Sequence, residues 1–308
     1  MEFFPENNFL KESIPNGIII MNNSPDWIKN AFIYHIYPLG LTGAPGVNQN
    51  DQPVQHRLEQ LYPWLDHLQW LGVNTLFLGP IFQSSTHGYD LIDYNQIDRR
   101  LGDETTFKQF SNEVHQRGMR IILDAVFNHS GRDFWAFQDL RKNLHQSAYK
   151  DWYQDVRFGQ TNPMGDPFTY QTWNGHYRLP KFNLDNPAVR DYLLQSVQNW
   201  IEKYNIDGLR LDAADNVSLD FWRALRELTT SLRPDFWLMG EVVHGPYHKW
   251  LNVEHLHSVT NYEAYKGLYS SLNDQNYFEI AYTLDRQFGA QGFRSEERRV
   301  GKECRSRW

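Results

Sequence analysis

The sequence contains very little cysteine and no long apolar segment. Cys304 is the single cysteine among 308 residues, which excludes an intramolecular disulfide framework and favours a reducing compartment. The N-terminal stretch MEFFPENNFLKES lacks the basic start and the apolar run of a signal peptide. No stretch is apolar over the roughly 18–20 residues that a membrane span needs. We therefore expect a cytoplasmic protein without a membrane partner.

A surplus of positive charge is also missing. The formal net charge is −7 and the pI is about 5.9, which argues against nucleic acid as a partner. No GxGxxG motif follows a predicted strand, and no HExxH motif occurs among the 12 histidines, so dinucleotide binding and zinc-dependent hydrolysis lack support. Aromatic residues are abundant at 15%. They indicate either a large aromatic core or a cleft lined with flat rings, which would suit sugars.

The two ends of the chain differ from the rest. Residues 1–26 are polar and contain several prolines, so we expect an irregular lead-in. Residues 292–308 are dense in arginine, hold the cysteine and show no apolar periodicity. We expect them to be a foreign tail left by cloning or sequencing; a basic interaction tail is the alternative.

Strand-like and helix-like segments alternate along most of the chain. This alternation predicts parallel strands with crossover helices. Six units of this kind predict an α/β fold, a TIM (β/α)8 barrel with about six of its eight units, and an open doubly wound sheet is the alternative. The predicted strands lie in AFIYHIYP, VNTLFLGP, MRIILDAVFNH, IDGLRLDA, FWLMGE and HSVTNY, and the predicted helices cover residues 54–71, 103–117, 187–204, 218–232 and 279–288.

The alternation is interrupted between residues 130 and 186. This stretch is rich in aromatic residues, glycine and proline and has no long helical period. A structureless loop of that length is improbable in a compact domain. We therefore predict a small subdomain at 130–186, inserted after the third strand, which divides the catalytic barrel into residues 27–129 and 187–291.

Charged and polar residues gather where the predicted strands end. In a barrel these ends converge on the face that carries active sites. Arg210 and Asp212 alternate, so both side chains point the same way from their strand. Because a neighbouring arginine favours the charged form of a carboxyl group, we expect Asp212 to be ionised and to act as a nucleophile. The strand-end residues are His87, Tyr89, Asp90, Asp124, Asn128, His129, Arg210, Asp212 and Glu241.

Two carboxylates from neighbouring strands suit glycoside hydrolysis, in which one attacks the sugar and the other protonates the leaving oxygen. The segments DAVFNH, GLRLDAAD and GEVVH, in this order and spacing, resemble three hallmark segments of the α-amylase family, glycoside hydrolase family 13. LPKFN resembles a fourth segment in its neopullulanase and cyclomaltodextrinase branch, and STHGYD resembles the family's substrate-binding loop. The resemblance covers about residues 27–291.

This resemblance implies a role for each residue. Asp212 would be the nucleophile of a retaining mechanism, Glu241 the general acid/base, and Arg210 the group that positions Asp212. The substrate would be a starch-like α-glucan or a maltooligosaccharide. No cofactor would be required, although the residue that matches Asn128 helps to bind calcium in many family members. Contacts with the sugar are expected from His129 and Tyr89 and more weakly from His87, Asp90 and His244, with Asp124 and Asn128 in support.

One family segment, at the seventh strand and with a third essential aspartate, has no counterpart here. We therefore expect the chain to be the N-terminal part of a longer enzyme and to be inactive as it stands. Two alternatives stay open. The enzyme could pass the glycosyl unit to another sugar as a transglycosylase, or the chain could be a non-catalytic relative that serves as a binding subunit. The oligomeric state is open.

Overall fold

The first half of the fold contains three parallel strands and the helices that follow them. The computed structural model describes residues 24–49, 51–243 and 245–288; the predictions for residues 1–23, His244 and residues 289–308 lie outside these ranges. The first strand, β1, is followed by a short helix α1 and then by α2. These elements are β1 (Ile33–Ile36), α1 (Pro38–Leu41), α2 (Tyr62–Trp70), β2 (Thr75–Leu78), α3 (Glu104–Gln116) and β3 (Arg120–Ala125).

Helix α3 shows why its sequence forms a helix at this place. Asp103 precedes the first turn, and its carboxylate accepts a hydrogen bond from the Thr106 backbone N–H at 2.8 Å, which satisfies one of the free N–H groups at the helix start. Phe107, Phe110 and Val114 recur at helical spacing and are all buried. The cap fixes the start of the helix, and the apolar stripe packs it onto the sheet.

Residues 126–186 connect β3 to the second half of the sheet through short elements. One helix, α4 (Trp135–Asn143), is followed by two small antiparallel pairs. The end of the second pair returns to the sheet, because Ser130 N–H donates to the carbonyl of Pro180 and Phe182 N–H donates to that of Asn128. This segment is thereby tied to the loop after β3. The paired strands are β4 (Arg157–Phe158) with β5 (Phe168–Thr169) and β6 (Thr172–Trp173) with β7 (His176–Pro180).

The second half of the described chain completes a six-stranded parallel sheet. The strand order is β1, β2, β3, β8, β9, β10, which is the order along the chain without a reversal. A doubly wound sheet would reverse its strand order at a switch point, so this order confirms the prediction of barrel-type units. The remaining elements are α5 (Pro187–Tyr204), β8 (Gly208–Leu211), α6 (Leu219–Leu232), β9 (Trp237–Gly240), β10 (Ser258–Val259), α7 (Tyr262–Asn273) and α8 (Phe278–Phe288).

The strand register creates layers on the inner face of the sheet. Phe77, Ile122, Gly208 and Trp237 are aligned across four neighbouring strands. Phe77, Ile122 and Trp237 form an apolar cluster apart from the main core. A β-carbon at Gly208 would lie 2.6 Å from the carbonyl oxygen of Trp237, so only glycine fits there. Because side chains alternate along a strand, Asp124, Arg210 and Asp212 lie on this inner face, closer to the carboxyl ends of the strands.

A carboxylate fixes the amino end of β8. Asp207 is buried and accepts hydrogen bonds from Arg120 at 2.9 Å, from Arg233 at 2.6 Å and from the Ile121 N–H at 2.9 Å. Asp207 Oδ2, the oxygen that accepts from Ile121, also lies 2.8 Å from His115 Nε2. These partners come from α3, β3 and the turn after α6, so a single side chain joins three elements.

In the part of the chain that the structure describes, no helix is long and apolar enough to cross a lipid bilayer.

Candidate active site

The guanidinium of Arg210 lies at the centre of the site and contacts three carboxylates. Its Nη1 is 2.7 Å from Asp124 Oδ1 and 2.8 Å from Asp212 Oδ1, and its Nη2 is 2.7 Å from Glu241 Oε1. Asp124 comes from β3, Asp212 follows β8 and Glu241 follows β9. The strand ends therefore converge as the sequence predicted, and one planar cation sets the spacing between the carboxylates from β8 and β9.

Glu241 is held by two further donors. The Ala213 N–H donates to its Oε2 at 3.1 Å, and the Tyr262 hydroxyl donates to its Oε1 at 3.0 Å. Ala213 has the left-handed backbone conformation, with φ of 46°, which is uncommon for a residue other than glycine. This turn aims the backbone N–H at the carboxylate of Glu241. The sequence pattern does not mark Tyr262 as a site residue, because its contact comes from α7, a helix that the pattern does not predict.

Burial raises the pKa of two carboxyl groups that contact Arg210, those of Asp212 and Asp124. Burial raises the pKa of Asp212 to about 7, although the charge of Arg210 acts to lower it and the charges of Asp124 and Glu241 reinforce the rise. Burial also raises the pKa of Asp124 against the effect of Arg210. The expectation that the arginine alone keeps Asp212 ionised is therefore wrong, since desolvation of a buried carboxylate outweighs one neighbouring cation that three carboxylates share.

Tyr89 lies beside this network. Its hydroxyl donates to Asp124 Oδ2 at 2.9 Å. Burial raises the pKa of Tyr89 well above its usual range, and the charge of Asp124 adds to the effect. The tyrosine thus remains a neutral hydrogen-bond donor, and its ring contributes to the wall of the cleft.

His129 is buried at the base of the cleft. Its Nδ1 lies 3.1 Å from Asn128 Nδ2, so the amide donates to the ring, whose proton is then on Nε2. Burial lowers the pKa of His129 to about 4, which makes the ring neutral at physiological pH. Its Nε2 has no partner with good hydrogen-bond geometry among the described residues, although the backbone of Tyr89 is close enough to act on the pKa of the ring. A neutral N–H that lines a cleft without a partner is a suitable donor for a sugar hydroxyl.

A cavity of about 640 Å³ opens above the carboxylates. This volume is within the usual range for a site that binds a small molecule. Residues 163–179 supply much of its wall, including Trp173, whose ring lies 6.0 Å from that of His129. The aromatic content of the whole chain was the sequence signal for a ring-lined cleft, with an aromatic core as the alternative, and it did not show which rings line the cleft. The cavity is lined by His87, Tyr89, His129, Pro163, Met164, Trp173, Gly175, His176, Tyr177, Arg178, Leu179, Arg210, Asp212 and Glu241.

The sequence-predicted residues of the loop after β2 have different positions. His87 lines the cavity. Asp90 does not, because its carboxylate is buried against its own loop, where it accepts hydrogen bonds from the Thr86 N–H at 3.1 Å and the Thr86 hydroxyl at 2.6 Å. We therefore revise the role of Asp90 from sugar contact to a brace for the loop that holds His87 and Tyr89.

Calcium was suggested by the residue type at Asn128. Its Oδ1 is buried and has no partner among the described residues, which is a feature that a cation could use. Calcium takes about six to eight oxygen ligands, many of them from carboxylates. Within the described ranges, however, no three His, Cys, Asp or Glu side chains are grouped to hold a metal ion. The residues present do not fit a carboxylate-rich calcium site.

A family model decides the assignment. The model of the alpha-amylase catalytic domain matches residues 58–291, which is most of the chain. The chain belongs to the α-amylase family. Its fold is accordingly that of the family's TIM-barrel catalytic domain, of which six parallel strands are described.

Relatives within the α-amylase family are similar over most of this chain. A cyclomaltodextrinase from a Bacillus species is 38% identical over 260 residues, which is 77% of this chain and 45% of the relative. The intracellular maltogenic amylase of Bacillus subtilis is 36% identical over 269 residues, 82% of this chain and 44% of the relative. The chain spans about half the length of the curated relatives that it matches.

One solved structure of the α-amylase family is that of a cyclic α-maltosyl-(1→6)-maltose hydrolase from Arthrobacter globiformis in complex with maltose. It has a TM-score of 0.75 and 34% identity, and the match covers 85% of this chain and 62% of the other. These similarities agree with the resemblance of LPKFN to the neopullulanase and cyclomaltodextrinase branch.

Proposed function

We propose that this α-amylase family site hydrolyses α-glucosidic bonds of starch-like glucans or maltooligosaccharides with retention at the anomeric carbon. The observation that carries the proposal is the placement of Asp212 and Glu241 on the two terminal nitrogens of one arginine, at 2.8 and 2.7 Å. A single guanidinium keeps the two carboxyl groups close together. Retaining glycosidases need such closeness, about 5–5.5 Å, because one carboxylate must attack the sugar directly without an intervening water.

The reaction divides between these two residues. The ionised carboxylate of Asp212 forms a bond to the anomeric carbon while the bond to the leaving oxygen breaks, and Glu241 gives that oxygen its proton. Glu241 then takes a proton from a water molecule whose oxygen displaces Asp212 and releases the sugar. Because the pKa of Asp212 is raised to about 7, the attack uses the ionised fraction and strengthens as pH rises through that value.

The cleft supports the choice of a neutral, ring-shaped substrate. Trp173, Tyr89 and Tyr177 line it together with the neutral imidazole of His129. Flat rings pack against the apolar faces of sugars, and the polar atoms around them can meet the hydroxyl groups. The two carboxyl groups perform the chemistry that is proposed here, which requires no metal ion or organic cofactor.

The comparisons support the substrate class and a location in the cell. The relatives carry the names cyclomaltodextrinase and maltogenic amylase, and the Arthrobacter enzyme is described in complex with maltose. The Bacillus subtilis relative is named as intracellular. We therefore propose a maltooligosaccharide as substrate partner and a cytoplasmic location, which agrees with the single cysteine.

A mechanism-based label tests the proposed reaction. In an active enzyme that contains this site, a fluorinated α-glucosyl fluoride should form a stable ester with Asp212, which intact mass and peptide mapping would locate. Asp212→Asn should abolish labelling, whereas Asp215→Asn, at an exposed carboxylate three residues away, should keep it. The first-formed sugar should be the α-anomer by proton NMR. Labelling of another residue or a first-formed β-anomer would refute the proposal.

A further inference from the structure

A second cavity of about 640 Å³ lies on the outer side of the sheet, between α6 and residues 253–257. Pro234 precedes β9 and His257 precedes β10, so this cavity is next to the amino ends of the strands. The catalytic carboxylates lie at the carboxyl ends. Whatever binds in this second cavity is therefore outside the site described above.

Arg226 is the distinctive residue of this cavity. It lies on α6 and is only 7% exposed, yet it has no carboxylate partner among the described residues. Its recorded contact is a long hydrogen bond, 3.4 Å, from Nη1 to the backbone carbonyl of His255. Burial lowers the pKa of Arg226, and no charged group of the described chain opposes that shift. Among the described residues, the other two buried arginines, Arg100 and Arg210, each contact at least one carboxylate.

A buried cation without a counter-ion is costly, because it loses its hydration and gains no opposite charge in return. Proteins usually pair such a charge. The absence of a pair at Arg226 therefore points to an anion that comes from outside the described residues. The cavity beside the guanidinium provides the space for it.

The groups around Arg226 suit an anion more than a metal ion. His257 lines the cavity and its Nδ1 accepts a hydrogen bond from the Leu238 N–H at 3.0 Å, so the neutral ring carries its proton on Nε2. Burial, followed by the charge of Arg226, lowers the pKa of His257 to about 3. His255 and His257 have the HxH spacing of some metal ligands, but in the described ranges no third metal ligand joins them. The charge of Arg226 would also repel a cation.

Two carboxylates also line the cavity, and both lie at its outer rim. Glu254 is exposed and pairs with Arg223 at 3.3 Å. Glu227 is exposed too. Neither influences the pKa of Arg226, for which burial is the sole cause of the shift. The inner part of the cavity is thus positive, and the exposed hydroxyl of Thr230 on the same helix adds a neutral donor.

We propose that this cavity binds a phosphate group, either as inorganic phosphate or as the phosphoryl end of a sugar phosphate, with Arg226 as the main ligand. The planar guanidinium can donate two parallel hydrogen bonds to two phosphate oxygens. Its Nη2 and Nε have no partner in the described chain. A volume of about 640 Å³ exceeds that of the ion alone and accommodates a hexose attached to it.

Calorimetric titration of the 308-residue chain in a buffer free of oxyanions tests this proposal. Inorganic phosphate and a hexose phosphate are the two ligand arms, with sodium chloride at matched ionic strength as the blank. Arg226→Met should weaken phosphate binding more than about tenfold, because it removes a charge-assisted pair of hydrogen bonds. Arg157→Met is the control, because this arginine is exposed and does not line the cavity. Its phosphate affinity should equal that of the unmodified chain, because the variant loses only an exposed, long ion pair.

Thermal melts give a second readout, in which Arg226→Met should change the melting temperature differently without and with phosphate. Without phosphate, Arg226→Met should melt at the same temperature as the unmodified chain or higher, because it removes an unpaired buried charge. With phosphate in excess, only the unmodified chain should gain stability. The two ligand arms separate the sources: tighter binding of the hexose phosphate indicates a sugar phosphate, and equal binding indicates the free ion.

A measurement on the unmodified chain does not depend on the folding of a variant. Phosphate should shift the ring resonances of His257 in NMR spectra, because His257 lines this cavity. It should leave those of His129 unchanged, because His129 lines the other cavity. The proposal is overturned if phosphate gives no heat and no shift at His257, or if Arg226→Met binds phosphate as well as the unmodified chain does.

Discussion

Tyr262 donates its phenolic hydrogen to Oε1 of Glu241 across 3.0 Å. The same oxygen lies 2.7 Å from Arg210 Nη2, so the proposed acid is oriented by two donors from different elements, α7 and β8. The contact makes the first turn of α7 a part of the candidate site. It also gives Tyr262 a positioning role, which can be tested by removing the hydroxyl while keeping the ring.

In an active enzyme that contains this site, Tyr262→Phe should lower turnover by about ten- to a hundredfold, the contribution of one lost hydrogen bond to a charged group. The Michaelis constant should remain nearly unchanged, because the hydroxyl contacts Glu241 and does not line the cavity. Steady-state kinetics with a maltooligosaccharide would measure both. Tyr265→Phe, at a 64% exposed position on the same helix, should leave both constants unchanged. A larger effect on the Michaelis constant than on turnover would contradict a positioning role.

Asp212→Asn should change the pH dependence of stability. Burial raises the pKa of Asp212 from 3.8 to about 7 in the fold. The folded chain therefore binds a proton at Asp212 more tightly than the unfolded chain does. The stabilisation that this proton gives is complete below pH 3.8 and is lost as pH rises through about 7. Asparagine cannot ionise, so the variant should melt a few degrees higher than the unmodified chain at pH 8. The difference should be small at pH 4.

Melting temperatures measured from pH 4 to 9 would test this sign. Asp215→Asn serves as the control because Asp215 is exposed, and its curve should run parallel to that of the unmodified chain. A curve for Asp212→Asn that also runs parallel would show that Asp212 does not titrate in this range.

Arg210→Met should destabilise the fold by about 3–5 kcal/mol, the usual cost of leaving buried charges without their partner. Three carboxylates depend on this side chain, so the loss should be larger at pH 8 than at pH 5, where protonation of Asp212 relieves part of the repulsion. Urea unfolding at both pH values measures it. Lys108→Met, which breaks an exposed pair with Glu104 of 2.8 Å, should cost less than about 0.5 kcal/mol. Equal costs for the two variants would contradict the central role of Arg210.

In an active enzyme that contains this site, Trp173→Ala should raise the Michaelis constant for maltooligosaccharides by about three- to tenfold, the range expected for loss of one aromatic contact. Turnover should change less, because Trp173 lies on the cavity wall and does not contact Asp212 or Glu241. Trp70→Ala is the control: this ring is 79% exposed and does not line the cavity. A loss confined to turnover would remove Trp173 from the proposed sugar-binding surface.

The helices that the sequence predicted well have strong signals at both ends. The interval predicted for α5 was residues 187–204, and the helix is Pro187–Tyr204. Asn186 caps its first turn and Asn205 ends it in the left-handed conformation. The predicted strand HSVTNY, in contrast, is reduced to Ser258–Val259. A short apolar run indicates that a strand exists, but its length depends on hydrogen bonds to a neighbour that the run itself does not specify.

Helix α7 shows what the sequence pattern concealed. Its apolar residues Tyr265, Leu268, Tyr269 and Leu272 are all exposed, so they do not mark a buried face that a helical period would reveal. The cap is nevertheless present, because the Asn261 side chain accepts a hydrogen bond from the Ala264 N–H. Missing this helix also meant missing Tyr262 and its contact with Glu241.

The candidate site was predictable to the extent that it rests on strand ends. Asp124, Arg210, Asp212 and Glu241 converge because parallel strands bring their carboxyl ends together. Trp173 is different, since it reaches the cleft through the pairing of β6 with β7 and the return of β7 to the loop after β3. Such long-range pairing leaves no periodic signal in the sequence. The protonation of Asp212 was also beyond reach, because it depends on how deeply the side chain is buried.

The carboxyl groups at the two ends of β8 differ in their pKa. At the carboxyl end one arginine serves three carboxylates, and the pKa of Asp212 is raised to about 7. At the amino end a single carboxylate, that of Asp207, contacts two arginines and one histidine. Burial acts to raise the pKa of Asp207, but the hydrogen bonds from His115 and the Ile121 N–H and the charge of Arg233 outweigh it and leave that pKa below its usual value. Asp212 can thus change its charge near neutral pH, whereas Asp207 keeps a fixed negative charge. Within four residues, the strand separates a reactive terminus from an inert one.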